Sequence, residues 1–440
     1  MTATAPTTQP PTKDTPATAT ATPRIAYVAY PTSLTLGSAN AIHTYNLART
    51  LREIVPGFAL LVPRFARRPS RFAEVGATHL ARLPFNAGRH LVPGIAWSYA
   101  ERTWFAARVL AHLRRARLAG RGPEVLYVRD AVLAAWLGTF ARPLIGARVV
   151  YECHDLEANN PSANRGPVSR RLARAADRAA LTRADGVVSL TRAFVDEIAQ
   201  NAAVRPSAPV AVIPDAYDDE VFRPADRDDA RRALGLPPDA FIVGYVGSTW
   251  AYRGVDRLVA AFAPLHAARP DARLVLVGGR ANERAEIERQ ARDFGQAGLG
   301  DAVSCVGSHP PAVVARYMAA ADALTLVDTV SKASASPLKL FEYAACARPV
   351  ILPDAPALRE ILPDDAARYF PPDDAAALTA ALAWVADNPD AARAMGARAA
   401  AAVAPHTYRA RAAVVAAFCA GVAASDERRA ATAIRGANHE

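Results

Sequence analysis

The stretch Phe241-Ile-Val-Gly-Tyr-Val-Gly-Ser-Thr-Trp-Ala-Tyr-Arg-Gly254 decides the fold, because it holds a strand, a loop and the start of a helix. The apolar run ends at Gly247, a polar loop follows, and Val255 begins a helical pattern. Strands alternate with helical stretches on both sides of it, which favours a parallel, doubly wound α/β sheet. The turn at Arg253 before a helix also suits a diphosphate, although an ordinary turn with a surface arginine explains the same residues.

The strand-helix alternation runs through the chain twice, which predicts two domains. The first series starts at the apolar strand Arg24–Tyr30 and the second at Phe241, with the polar linker Pro214–Pro224 between them. A chain of 440 residues is also too long for one hydrophobic core. The polar ends of the chain are predicted to be disordered. The predicted segments are a disordered tail over 1–23, an N-terminal domain over 24–220, a C-terminal domain over 221–405, a last helix over 406–425 and a second disordered tail over 426–440.

Composition argues against a membrane-spanning protein and favours an anionic partner for the first domain. Hydrophobic residues make up 51% of the chain, yet no run reaches the roughly 18 consecutive apolar residues of a membrane span. Residues 1–23 lack the basic and apolar regions of a signal peptide, which favours a cytoplasmic location. Between Arg24 and Arg205 the chain carries 26 Arg and no Lys against 12 acidic residues. This excess favours phosphates, acidic lipid or nucleic acid as partner.

The distribution of these arginines favours a membrane surface over nucleic acid. They are spread over helical stretches, without a helix-turn-helix, zinc or base-stacking motif. The helical stretch 93–119 also has Trp97, Trp104 and Phe105 on its predicted apolar side, so we expect peripheral contact with an anionic membrane. A solvated helix face in an arginine-rich protein is the alternative. The arginines proposed to lie on the membrane surface, in and just after this stretch, are Arg108, Arg114, Arg115, Arg117 and Arg121.

The segment Ser336-Pro-Leu-Lys-Leu-Phe-Glu-Tyr-Ala-Ala-Cys-Ala-Arg-Pro-Val350 has the features of a nucleotide-binding helix. A helix N-terminus with Lys339 beside it attracts phosphate. Glu342 follows about one turn later, and an ionised carboxylate accepts two hydrogen bonds from a sugar diol. Phosphate and ribose make up most of a nucleotide, so we predict that a nucleotide binds here.

Two further strand ends carry residues suited to a ligand site. The apolar run Leu274–Val277 precedes two glycines, which allow a backbone to approach a ligand closely, although a tight turn explains them as well. Tyr151-Glu-Cys-His-Asp155 ends in His154 and Asp155, for which a hydrogen-bonded structural pair is the alternative. Ligands of such sheets bind outside the carboxyl ends of the strands. The loops expected to face the ligand cleft follow Tyr30, Glu152, Val246, Val277 and Val327.

The order and spacing of these segments resemble the large retaining glycosyltransferase family four. The resemblance covers roughly residues 24–424 and implies the fold called GT-B, in which two Rossmann-like doubly wound domains face each other across a cleft. It also implies that the last helix packs back on the first domain. The matching segments are the small-residue loop with Gly37, the His154-Asp155 pair, the strand 184–191, the linker 218–224, the loop 246–254, the segments 306–310 and 317–322, and the Ser-Pro-Leu-Lys helix.

The resemblance implies a nucleotide-diphosphate sugar as co-substrate and gives the candidate residues their roles. Glu342 would hold the ribose hydroxyls, and the backbone at Leu338 and Lys339 would meet the distal phosphate. Arg253 and Lys339 would stabilise the leaving diphosphate, and His154 would contact the donor sugar through its imidazole or its backbone. The other candidates for donor binding are Gly37, Ser248, Gly278, Arg280, Ser334 and Ser336.

The implied activity is retaining transfer of a sugar to a glycan or lipid-linked acceptor, in the synthesis of cell-surface polysaccharide or glycolipid. The family generally needs no bound metal or other cofactor, and the four cysteines here have no metal-ligand spacing. Two positions depart from the family pattern: Ser334 stands where a sugar-binding glutamate is common, and Ser248 where a basic residue is common. A catalytically inactive nucleotide-sugar-binding relative therefore stays an alternative, as does a sugar-nucleotide epimerase or a phosphorylase on the same fold.

Overall fold

The chain forms two parallel β-sheets, each covered by helices on both faces. A computed structural model describes residues 22–30, 36, 38–64, 70–83, 94–159, 166–249, 253–279, 285, 289, 299–327 and 336–425. The predicted tails 1–23 and 426–440 lie almost entirely outside these described residues.

The first sheet is built from the N-terminal half of the chain. Its strands are β1 (Ile25–Ala29), β2 (Ala59–Arg64), β3 (Thr78–Ala81), β4 (Val125–Arg129), β5 (Arg148–Cys153), β6 (Gly186–Ser189) and β7 (Val210–Val212). Its helices are α1 (Ala39–Ile54), α2 (Gly94–Leu118), α3 (Ala131–Ile145), α4 (Pro167–Arg183) and α5 (Arg192–Gln200). The strands pair in parallel in the order β3-β2-β1-β4-β5-β6-β7, so the order reverses between β1 and β4.

The second sheet follows the same plan. Its strands are β8 (Ile242–Val246), β9 (Arg273–Val277), β10 (Val303–Gly307), β11 (Ala323–Thr325), β12 (Val350–Pro353) and β13 (Arg368–Phe370). The order is β10-β9-β8-β11-β12-β13, and it reverses between β8 and β11. The accompanying helices are α6 (Arg227–Leu234), α7 (Val255–Ala268), α8 (Pro311–Ala320), α9 (Leu338–Ala345), α10 (Pro356–Arg359), α11 (Ala375–Asp387), α12 (Pro389–Val403) and the last helix, α13 (Tyr408–Ala423).

Burial on both faces explains why these strands read as continuous apolar runs. In β1, Ala26 and Val28 pack into the core beneath α2, α3 and α4. Ile25 and Tyr27 alternate with them and pack into the core beneath α1 and α13. A parallel sheet covered by helices on both sides requires such strands. The predicted α/β fold of two doubly wound domains is thereby confirmed.

The predicted helix over 93–119 forms as α2, but the expected position of one tryptophan is wrong. Phe105 and Val109 are buried, whereas Trp104 is 38% exposed. Successive residues of an α-helix lie about 100° apart around its axis, and here this rotation carries Trp104 out of the buried face that holds Phe105. Helix α3 was not predicted, because its sequence is apolar both on its buried side, at Leu133 and Leu137, and on its exposed side, at Trp136 and Phe140.

In the described part of the chain, the backbone crosses between the two domains twice, and the crossings bond to each other. Tyr217 donates its backbone N–H to the carbonyl of His406 at 3.1 Å, and Tyr408 donates its own to the carbonyl of Tyr217 at 3.2 Å. These bonds form a parallel bridge between Tyr217 and Thr407. Beyond the second crossing, α13 packs beside α1 against the first sheet.

Arg231 on α6 is a buried cation that organises one edge of the second domain. Its side chain is 1% exposed, and its guanidinium donates to the carbonyls of Ala320 and Ala240 at 2.9 and 3.0 Å. It also donates at 2.6 Å to the carboxylate of Asp322, the residue just before β11. One side chain therefore satisfies acceptors from two separate segments, 238–240 and 320–322.

We predict that Arg231→Ala lowers the free energy of unfolding by about 3–5 kcal/mol, because it leaves the Asp322 carboxylate and several carbonyls without this donor. Urea denaturation followed by circular dichroism measures the change. The neighbouring Arg232→Ala is the matched control, since Arg232 is exposed and paired only with Asp229 among the contacts described. It should change stability by less than about 0.5 kcal/mol. Equal effects of the two substitutions would contradict the assignment.

Candidate functional site

The predicted ligand residues lie near the points where strand order reverses in the two sheets. In the first domain, His154 follows β5, next to β4 at the reversal. In the second domain, Ser248 and Arg253 follow β8, and Gly278 follows β9. Ligands of doubly wound sheets bind at these positions, so the topology agrees with the predicted placement of the site. Three further candidates, Gly37, Arg280 and Ser334, lie outside the described residues.

The helix predicted to bind the nucleotide, α9, begins against the first domain. Within the described residues, no side chain caps its N-terminus, where Pro337 occupies the capping position. The side chain of Leu338 packs into the core shared by α1, α13 and the first sheet. Ser336 is buried, and its hydroxyl accepts the backbone N–H of Asp215 in the linker at 3.1 Å. The first amides of α9 therefore lie at the junction of the two domains.

Lys339 and Glu342 form an ion pair on α9. Lys339 Nζ lies 2.7 Å from Glu342 Oε2, and Glu342 is only 3% exposed. Burial raises the pKa of the Glu342 carboxyl, while Lys339 opposes that rise. The structure thus pairs the two residues that the sequence assigned to phosphate and ribose, and both roles stay predictions.

The loops after β8 and β9 pack directly against each other. Gly278 has a φ of 118°, and a Cβ on it would lie 2.1 Å from the carbonyl oxygen of Gly247. Glycine is therefore required here by the backbone conformation and by the neighbouring loop. Ser248, in that loop, accepts a hydrogen bond on its carbonyl from the Tyr245 hydroxyl at 2.8 Å. Arg253 follows in the same connection and is half-buried just before α7. A ligand contact for these residues stays a prediction.

Both ring nitrogens of His154 are engaged by neighbouring side chains. Its Nε2 lies 2.8 Å from Glu152 Oε1, and its Nδ1 lies 3.2 Å from a guanidinium nitrogen of Arg129. An arginine can only donate, so Nδ1 accepts and Nε2 carries the proton. Burial and the nearby Arg129 charge lower the pKa of His154 to about 4. His154 is therefore neutral at neutral pH, and its predicted contact with the sugar stays a prediction.

The side chain that pairs with His154 is Glu152, not the adjacent Asp155. Residues two apart on a strand project to the same side, whereas adjacent residues project to opposite sides. The alternative interpretation was a hydrogen-bonded structural pair of His154 and Asp155. The structure instead pairs His154 with Glu152. A glutamate in the otherwise uncharged run 149–153 is the sequence signal that could have identified it.

Glu152 is the centre of a buried cluster that sequence reasoning missed. Its Oε1 lies 2.7 Å from the guanidinium of Arg411 on α13 and 3.0 Å from Nε2 of His43 on α1. The Nδ1 of His43 lies 2.5 Å from Oδ1 of Asp215. Burial opposes ionisation of Glu152, but His43, His154 and Arg411 outweigh it and hold the pKa of that carboxyl well below its usual range.

His43, Glu152 and His154 present ligand atoms close enough together to surround a metal ion. Two guanidinium groups already contact this group, from Arg411 and Arg129. Their positive charges balance the carboxylates of Glu152 and Asp215, so little negative charge is left to attract a cation. The donor set fits a buried ion-pair network better than a metal site.

Family models match both halves of the chain. Residues 40–216 match the glycosyl transferase 4-like domain, and residues 240–388 match glycosyl transferases group 1. The D-inositol 3-phosphate glycosyltransferase of Segniliparus rotundus is 30% identical over 221 residues, which is 50% of this chain and 48% of that protein. The same-named protein of Stackebrandtia nassauensis is 35% identical over 147 residues, 32% of each chain. The chain thus spans about half, or less, of the length of these curated relatives.

Solved structures share the fold over nearly the whole chain. Sucrose-phosphate synthase from Thermosynechococcus elongatus superposes with a TM-score of 0.72 at 20% identity, covering 91% of this chain and 100% of that one. HepE of Anabaena in complex with UDP gives 0.68 at 15% identity, covering 90% and 100%. These identities show the fold alone. With both domain models matched along one GT-B fold, the chain belongs to the group 1 glycosyltransferases.

Proposed function

We propose that this protein is a retaining glycosyltransferase that moves a sugar from a nucleotide-diphosphate sugar to a glycan or lipid-linked acceptor. The observation that carries the proposal is the position of α9, whose start lies at the domain junction through Leu338 and Ser336. Glu342 is buried one turn further on, where ribose hydroxyls can bind it. A structural neighbour, HepE, is described in complex with UDP and with UDP-glucose, which supports this class of donor.

The proposed reaction needs positioning and charge stabilisation, without a covalent enzyme nucleophile. The acceptor hydroxyl attacks the sugar from the face that the diphosphate leaves, and a phosphate oxygen takes its proton. Arg253, Lys339 and the first amides of α9 offset the negative charge that develops on the leaving diphosphate. Metal and other cofactors have no part in the proposal, since these cations supply the charge.

The ion pair on α9 gives the donor site a defined state before the nucleotide arrives. Lys339 neutralises Glu342 across 2.7 Å, so the buried carboxylate has a partner in the empty site. A bound diphosphate attracts Lys339 toward its own charge, while the ribose hydroxyls donate to Glu342. The nucleotide therefore replaces the contact of Glu342 with Lys339 by contacts with its own hydroxyls.

A surface of the first domain supports a membrane-bound acceptor. Helix α3 packs between α2 and α4, and its Trp136, Phe140 and Leu144 are 40%, 38% and 46% exposed. Their spacing of four residues places them on one helix face, and the two aromatic rings stack with centroids 5.6 Å apart. We call the exposed sides of α2, α3 and α4 the α2–α4 face.

The charge of the α2–α4 face fits anionic lipid. The acidic residues of the three helices are Glu101 and Asp177, and both are buried. The exposed arginines of these helices are Arg108, Arg114, Arg115, Arg117, Arg142, Arg170, Arg171, Arg174, Arg178 and Arg183. Apolar rings flanked by arginines suit a peripheral position on an anionic membrane. In the described part of the chain, none of the helices is long and apolar enough to span a membrane.

We place the protein at the cytoplasmic side of a membrane, in the synthesis of cell-surface polysaccharide or glycolipid. A structural neighbour, WaaG, is described as a glycosyltransferase of lipopolysaccharide biosynthesis, which supports that setting. The alternatives are an inactive nucleotide-sugar-binding relative and a sugar-nucleotide epimerase. Incubation with UDP- and GDP-sugars and a panel of acceptors separates them. Only a transferase releases nucleoside diphosphate in step with glycosylated product, and NMR of that product reports whether configuration is retained.

We predict that Glu342→Gln raises the donor KM about 10- to 100-fold, because a charge-assisted contact to ribose is weakened in ground and transition states alike. Arg253→Ala and Lys339→Ala should each lower kcat about 100- to 1000-fold, because they act on the leaving group. Glu53→Gln, an exposed change on α1, is the control and should leave both constants unchanged. Near-normal turnover of both cation variants would refute the assignment.

We also predict that the protein floats with vesicles of phosphatidylglycerol and phosphatidylcholine, and much less with phosphatidylcholine alone. The double substitution Trp136→Ser and Phe140→Ser should reduce the bound fraction at least fivefold, since it removes the exposed rings. Val414→Ser on α13 is the matched control, because Val414 is also exposed but lies outside the α2–α4 face. A wild-type protein that stays unbound with both vesicle types would rule out the membrane proposal.

A further inference from the structure

His43 lies where the segments that surround the proposed donor site meet. It belongs to α1, the helix that directly follows the Gly37 loop, and its side chain is fully buried. One face of its ring meets His154 edge-on, with centroids 5.4 Å apart. Its Nε2 lies 3.0 Å from Glu152 Oε1. The imidazole of His43 thus contacts Glu152 in β5 and His154 just after this strand, while its backbone belongs to α1.

The other nitrogen of His43 reaches the linker between the domains. Its Nδ1 lies 2.5 Å from Asp215 Oδ1, and the backbone N–H of Asp215 donates to Ser336 Oγ at 3.1 Å. Ser336 lies two residues before Leu338, where α9 begins. A continuous set of contacts therefore runs from His154 through His43 and Asp215 to the start of α9.

The lowered pKa of Asp215 indicates that its carboxylate interacts strongly with His43. Burial alone would raise the pKa of this carboxyl, but His43 and Arg411 outweigh burial and lower it. Asp215 is therefore ionised at neutral pH. An ionised acceptor makes hydrogen bonds roughly twice as strong as a neutral one does. The Asp215 carboxylate therefore holds the His43 imidazole. This contact keeps the backbone N–H of Asp215 in place to donate to Ser336.

We propose that His43 is a positioning residue that, through Asp215, holds the N-terminus of α9 in register with His154. It does not touch the reacting atoms. Its effect on sugar transfer rests on the proposed function, whereas its effect on the position of α9 does not. The proposal assigns His43 a role in the free protein, before any nucleotide is bound.

The geometry of the imidazole allows a test with two near-isosteric substitutions. The side-chain amide of asparagine reaches the position of Nδ1, and that of glutamine reaches the position of Nε2. His43→Asn therefore retains the bond to Asp215, and His43→Gln removes it while remaining polar. Asp215→Ala removes the same bond from the other side. Thr50→Ala is the control on the same helix, because the buried Thr50 hydroxyl bonds only locally to the carbonyl of Asn46 in the contacts described.

Hydrogen–deuterium exchange of the full-length protein without ligand measures the outcome, after circular dichroism has established that each variant is folded. We expect peptides over residues 336–345 to exchange at least 10-fold faster in His43→Gln and in Asp215→Ala. Exchange there should match wild type in His43→Asn and in Thr50→Ala. The double variant His43→Gln with Asp215→Ala should exchange no faster than either single one, since both break one contact.

Two results would overturn the proposal. One is unchanged exchange over 336–345 in both His43→Gln and Asp215→Ala. The other is equally fast exchange in His43→Asn and His43→Gln, which would show that the Nδ1 contact is irrelevant. If wild type transfers sugar, kcat should fall at least 10-fold in His43→Gln and recover in His43→Asn. Absence of transfer in wild type would count against the proposed function alone, since the exchange result stands by itself.

Discussion

The buried charge of Glu152 is the constraint on which the arrangement of the whole chain depends. An ionised carboxylate without solvent needs donors within hydrogen-bond distance, or it strongly destabilises the fold. Besides His43, Arg411 supplies a counter-charge, and it comes from a helix that the chain reaches only after completing the second domain. The ion pair therefore joins the last helix to the first sheet. The apolar core that α13 shares with α1 holds it in the same position.

The same constraint ties the polar core to the proposed chemistry. Glu152 and Arg129 fix the tautomer of His154, and His43, which also contacts Glu152, reaches the linker. An apolar core of equal volume would be as stable or more so. Such an apolar core would not fix the orientation of the His154 ring or the position of the N-terminus of α9. We interpret the charged cluster as the part of the fold that gives the cleft a single geometry.

Much of the fold could be predicted because its signals are local in sequence. Apolar runs followed by glycine or polar loops identified most strands, and both sheets form as expected. The second-domain candidates were also recognisable, since Lys339 and Glu342 lie within one short segment. Helix α3 was not predicted because its apolar residues lie on both its buried and its exposed faces.

The first-domain cluster could not be predicted for a different reason. His43 looks like an ordinary residue of an amphipathic helix, and its partner Asp215 is 172 positions away in a linker of turn residues. Arg411 looks like a surface cation on an alanine-rich helix. Only the three-dimensional structure shows that these residues are in contact. In the sequence, Glu152 alone indicates a buried ion pair, because it is an acidic residue within an apolar strand.

The bridge between Tyr217 and Thr407 has a consequence for how the domains move. Two parallel backbone segments joined by hydrogen bonds bend readily across their common plane, because bending leaves both bonds nearly unchanged. Rotation of one domain about the axis along the segments would instead shear the bonds between Tyr217, His406 and Tyr408. The double crossing therefore resists twisting of one domain about the linker more than it resists bending.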